Sequence, residues 1–227
     1  MSDKNLISRT VKFVKSTLKD VEGGHDWFHV MRVWNNAKLI SKNENVNQLV
    51  VELGALLHDI ADSKFHGGDE TIGPKIARDF LQREEVHPDD VNHIVQIIRS
   101  ISFKSTLTSK NSNSTLKFRS PELDIIQDAD RLDAIGAIGI ARCFNYGGYK
   151  NRAIYDPDIP SNLNLSKEEY KSSIAPSINH FYEKLLLLKD RMNTETGRKI
   201  AAERHVFMEQ YLEQFYKEWE SAQREND

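Results

Sequence analysis

The chain has 227 residues, of which 39% are hydrophobic and 29% charged, and its formal net charge is −3. That suits one sizeable helical domain with wet outer faces, and it lacks the basic block that a tracker of duplex nucleic acid needs. No stretch approaches the roughly twenty apolar residues of a membrane span, the start MSDKNLISRTVKF has no apolar leader core, and the single cysteine, Cys143, excludes an intrachain disulfide. The expected setting is a reducing cytoplasm. Cys143 lies in the apolar run GAIGIARCF and reads as a small core residue.

Helical periodicity dominates and no segment alternates like a strand for long, so the expected fold class is all-α. Ile7, Val11, Val14, Leu18 and Val21 form a first apolar stripe. A second helix starts near Asp26 and carries Val30, Val33, Trp34, Ala37 and Ile40, and a third runs through Leu49, Val50, Leu53, Leu56, Leu57 and Ile60. Two more follow, on Ile72, Ile76 and Phe80 and on Val91, Ile94, Val95 and Ile98. The second of these opens at His87-Pro88-Asp89-Asp90, with proline in the first turn and acids at the positive end of the dipole.

The polar stretch TLTSKNSNS, 106–114, predicts an exposed loop. Ser120-Pro121-Glu122 reads as a cap and first turn, opening a deeply buried helix from Leu123 to about Phe144. Tyr146 to Asn164, with Gly147, Gly148, Pro157 and Pro160, predicts an irregular connection. Helices from about Pro176 to Met192 and from about Thr196 to Ser221 complete the chain. No repeat or sharp composition break divides it. The expectation is one domain over 1–227, its last two helices (about 176–221) packed as a C-terminal extension.

Acids and histidines on apolar helices need partners, because a lone buried charge is costly. His58 and Asp59 end the apolar helix ELGALLHDIAD, and His29 flanks the stripe of the second helix. Asp128, Asp130 and Asp133 lie inside the most apolar helix of the chain. One shared cation would neutralise such a set, and imidazole with carboxylate suits a borderline divalent ion such as manganese, iron, cobalt or nickel. Asp128 and Asp130 are both candidates, but residues two apart on a helix point about 200° apart, so only one of them can face a given ion. An His-Asp dipeptide alone is unspecific, and His25-Asp26 is a second copy. His25 reads as a group that supports a ligand or caps a helix rather than as a fifth ligand. His66, His87 and His93 form no tight cluster with the others, which favours one metal over two.

The segments HDWFHVMRVWNNA, ALLHDIADSKF, IIRSISFKS, QDADRLDAIGAIGIARCF and NHFYEKLLLLKDRMNTETGRKIAAERH closely resemble the HD superfamily of metal-dependent phosphohydrolases. They resemble in particular a short bacterial and fungal branch that includes nucleotide pyrophosphohydrolases. The resemblance implies an HD-domain helical bundle with metal ligands His29, His58, Asp59 and Asp130, the last because its acid directly precedes a basic residue, Arg131. Asp128 then takes a supporting or structural role. The ion implied is divalent, manganese first, with magnesium, iron, cobalt and nickel as alternatives. The implied partner is a nucleotide, with a homodimer as the assembly allowed for.

An ion of this kind activates water, and a nearby carboxylate can accept the proton. Asp62, one turn after His58, is the candidate, although a solvated acid in the turn reads equally well. Phosphates need positive charge at short range. Lys64 is assigned to catalysis beside Asp62, and Arg131, Lys104 and Lys184 to the substrate, each against the alternative of a solvated surface charge. Arg204 and His205 could reach the site, or simply cap and pair. Trp27, Phe28 and Trp34 read as core, with a base-stacking platform as the alternative at Trp27, and Gly67-Gly68 reads as a turn, since Asp69 and Glu70 would repel an anion.

Overall fold

The computed structural model describes residues 3–19, 26–61, 69–101, 118–163 and 174–223. Its helices are α1 (Asp3–Thr17), α2 (Trp27–Ser41), α3 (Gln48–Leu57), α4 (Ile72–Arg83), α5 (Pro88–Ser100), α6 (Pro121–Asp133), α7 (Gly136–Tyr149), a short α8 (Asn179–Glu183) and α9 (Glu195–Gln223). A 3-10 segment, Leu185–Arg191, links α8 to α9, and no strand occurs among the described residues. The fold is all-α, as periodicity indicated.

Capping explains where the central helices begin. Asp26, extended at φ −83° and ψ 178°, accepts a hydrogen bond from the His29 backbone N–H and starts α2. Asn47 accepts from the N–H groups of Leu49 and Val50 and starts α3. Ser120 accepts from that of Leu123, with Pro121 in the first turn of α6. In α3, Val50, Val51 and Leu53 to Leu57 are all buried, so this helix forms the middle of the core. α1, α2, α5 and α6 pack on it, and α2 lies along α6. Gly54 leaves room for α6 against α3: a Cβ there would stand 2.6 Å from Ile126 Cδ1. α9 runs back over α6, α7 and the 3-10 segment, and the buried apolar residues of all these elements form one cluster.

Three expectations are corrected. The single helix read from Leu123 to Phe144 is two helices. Ala134 ends α6 with its N–H bonded to the carbonyls of Arg131 and Leu132, Ile135 is extended, and Gly136 turns at φ 74°. The helix read from Pro176 to Met192 breaks at Lys184, at φ −146° and ψ −56°, into α8 and the 3-10 segment. Tyr146, Gly147 and Gly148 remain helical in α7, and the irregular connection begins only after Tyr149. Val21 and the 106–114 stretch lie outside the described residues. Among the described residues, no helix is long and apolar enough to cross a membrane.

Candidate metal centre

The N-terminal turn of α2 and the C-terminal end of α3 converge on the middle of α6. His29 follows its cap Asp26 by three residues, and its ring is buried at 1% exposure. His58 leaves the last turn of α3 with its Nδ1 2.8 Å from the Ala55 carbonyl oxygen. A carbonyl can only accept, so Nδ1 carries the proton and Nε2 is left bare. That Nε2 is buried and has no hydrogen-bond partner among the described residues.

His29 Nε2 stands 3.6 Å from Asp130 Oδ1 and 3.7 Å from Asp59 Oδ2, while His58 Nε2 stands 3.9 Å from Asp130 Oδ1. Donors of His29, His58 and Asp130 all lie within 4.8 Å of one another. The gaps exceed a hydrogen bond, yet two donors that each bind one ion at about 2.1 Å can stand up to about 4.2 Å apart. The set therefore fits a divalent cation. Burial and the nearby Arg142 guanidinium hold the His29 pKa below its ordinary value, against the pull of Asp133 and Asp130. The ring is neutral, the form a metal requires. Asp130 keeps 41% of its side chain exposed, so solvent reaches the centre from its side.

Asp128 faces the other way, as the two-residue step requires. Fully buried, its carboxylate accepts from the backbone N–H groups of Asn193 (2.8 Å) and Thr194 (2.7 Å) and from the Thr194 hydroxyl (2.8 Å). It ties α6 to the start of α9. Burial raises its pKa, and these hydrogen bonds offset part of that rise.

Arg131 follows Asp128 and not Asp130. Its guanidinium donates to the Arg191 carbonyl (2.5 Å), to Gln127 Oε1 (3.3 Å) and to Asp128 Oδ1 (3.4 Å). These contacts turn Arg131 toward the α9 junction. Lys184 is half-buried at the break after α8, close enough to the Cys143 thiol to act on its charge. Arg204 donates to the Leu132 carbonyl and caps α6, and His205 pairs with Glu209 at 3.3 Å. Asp62, Lys64 and Lys104 lie outside the described residues, as do His25 and His66.

The residue that sequence reasoning passed over is Asp133. Its buried carboxylate lies behind His29, 2.7 Å from Nδ1, and accepts from Arg32 Nε (2.6 Å) and from Arg142 (2.8 Å). Burial pushes its pKa up, but the hydrogen bonds from His29 and Arg32 outweigh that and hold it well below the usual carboxylate range. The available signal was its three-residue step from Asp130, which puts both acids on the side of α6 that meets α2.

The family model for the HD domain matches residues 27–135, which contain His29, His58, Asp59, Asp130 and Asp133. The Bacillus subtilis protein YpgQ is 38% identical over 208 residues, spanning 91% of this chain and 90% of that protein. Its crystal structure in complex with ADP matches with a TM-score of 0.72 at 34% identity, over 96% of this chain and 97% of that one. An HD-superfamily hydrolase of Bacillus thuringiensis matches with a TM-score of 0.74 at 41% identity, over 96% and 99% of the two chains. A protein of Lactobacillus plantarum reaches 0.82 at 33% identity, over 97% and 100%.

Proposed function

This chain belongs to the HD domain family of metal-dependent phosphohydrolases, and from that membership we propose that it cleaves nucleoside or deoxynucleoside triphosphates between the α and β phosphates, releasing a monophosphate and pyrophosphate. The observation that carries the proposal is the convergence of His29, His58 and Asp130 donors within 4.8 Å. The ADP bound to YpgQ supports a nucleotide as the ligand class.

In this proposal His29, His58, Asp59 and Asp130 hold one divalent ion, manganese before magnesium, iron, cobalt or nickel. When bound, such an ion lowers the pKa of water and polarises a phosphoryl oxygen. The two neutral imidazoles supply nitrogen donors, and the two carboxylates offset the positive charge. Asp62, three residues after Asp59 in the sequence, accepts the proton released as water attacks. Lys64 and Lys104 draw the phosphates by charge.

The test is product analysis. Manganese-loaded protein is incubated with a panel of nucleoside mono-, di- and triphosphates and phosphodiesters, with pyrophosphate and orthophosphate measured separately. Pyrophosphate in step with monophosphate is the expected result. Orthophosphate alone would mark a nucleotidase, and cleavage confined to diesters a phosphodiesterase. Bound metal without turnover on any substrate would overturn the enzyme reading in favour of a sensor.

A further inference from the structure

An imidazole ligand is useful to a metal only if the ring presents the right nitrogen, and a neutral ring carries its proton on one of two. At His58 the Ala55 carbonyl makes that choice. At His29 a charged side chain makes it. Asp133 Oδ2 lies 2.7 Å from His29 Nδ1, a short contact that must contain one proton.

The carboxylate is in no position to supply that proton. Arg32 grips it with Nε on Oδ1 at 2.6 Å and an Nη on Oδ2 at 3.0 Å, and Arg142 adds a third donor to Oδ2 at 2.8 Å. Two guanidiniums around one buried carboxylate keep it ionised and acceptor-only. The proton of this contact therefore belongs to His29 Nδ1, and Nε2, the nitrogen that points toward Asp59 and Asp130, is the one left to serve a metal. The four residues come from three elements: His29 and Arg32 from α2, Asp133 from the end of α6 and Arg142 from α7.

We propose that Asp133 is a positioning residue of the metal centre: by accepting the Nδ1–H of His29 it fixes that ring's tautomer and plane, and Arg32 and Arg142 hold the carboxylate in place to do so. The inference rests on the metal reading above. A plain structural role would tie α2, α6 and α7 together, but it would place no proton.

Long-range proton–nitrogen spectra of the metal-free wild-type protein at pH 8 read that proton directly. The expected result is a His29 ring with its Nδ1 protonated and hydrogen-bonded to Asp133. An Nδ1 without a proton overturns the proposal, and no variant has to fold for the answer. Manganese titration followed by electron paramagnetic resonance supplies the second readout. Asp133→Asn, with its helical circular dichroism retained, is expected to weaken manganese binding by about 10- to 100-fold, the usual effect of losing a carboxylate behind a ligating histidine. His58→Ala separates the two levels of the argument. If His58→Ala binds manganese as the wild type does, the metal reading fails. If His58→Ala loses the ion while Asp133→Asn binds it normally, the centre stands and Asp133 has no positioning role.

Discussion

The acids of α6 divide by direction, and that division makes them separable by mutation. Asp130 and Asp133 look toward α2, while Asp128 and Arg131 look toward the start of α9. Asp130→Ala is expected to abolish metal binding, measured by elemental analysis, with little effect on folding, because its side chain is 41% exposed. Asp128→Ala is expected to retain the ion and lose about 3–5 kcal/mol of stability in urea titration, since it strands a buried arginine and two backbone donors. The opposite pattern would exchange their roles. Asp62→Asn should keep the ion and lose turnover, and an unchanged rate would remove Asp62 from the chemistry. His29 and His58 were legible as ligand types on apolar helices, while Asp130 was preferred to Asp128 only through the family resemblance; the structure brings these three together. The role of Asp133 was not legible, because it depends on which side of α6 meets α2. Nor were the contacts of Arg131, because adjacency in sequence is about 100° of rotation on a helix.

At the scale of elements, apolar periodicity locates helices well and their interruptions poorly. Leu132, Ile135 and Ile140 are all buried, so the apolar signal runs straight through the break between α6 and α7. What makes the break is backbone geometry at Gly136, whose φ of 74° is left-handed and open to glycine at no steric cost. The turn also sets the site, since it brings Arg142 on α7 back onto Asp133 at the end of α6. Gly136→Ala is expected to cost about 1–2 kcal/mol of stability in urea, with Arg204 Cγ, 3.0 Å from the new Cβ, shifting to make room. Wild-type stability would mean that the turn tolerates a side chain and is not what holds α7 in place. The interrupted stretch after Pro176 was hidden in the same way: Phe181, Leu185 and Leu188 are buried at helical spacing although the backbone tightens into a 3-10 segment.

Across the whole molecule, buried titratable groups bound its stability from both ends of the pH scale. On the metal side, His29 has a pKa below its ordinary 6.5, chiefly through burial. A lowered pKa gives stability that is complete above the unfolded value and lost as pH falls through the folded one. The metal-free protein should therefore begin to weaken below about pH 6.5, ahead of the carboxylates. Asp133, whose pKa is also lowered, extends the loss to still lower pH. Away from the metal ligands, burial pushes the Cys143 thiol up to about 12 and raises the pKa of Tyr216. Raised values act with the other sign: stability is complete below the unfolded pKa, about 8.5 for a thiol and about 10 for a phenol, and is lost as pH rises toward the folded one. The melting temperature of metal-free protein should thus show a plateau between about pH 7 and 8.5 with a slope on each side. In differential scanning calorimetry, His29→Gln should flatten the limb just below about pH 6.5 and leave the alkaline limb alone, while Cys143→Ala should flatten only the limb above about pH 8.5. If each variant kept both wild-type slopes, the burial of these two groups would not govern the pH range of the fold.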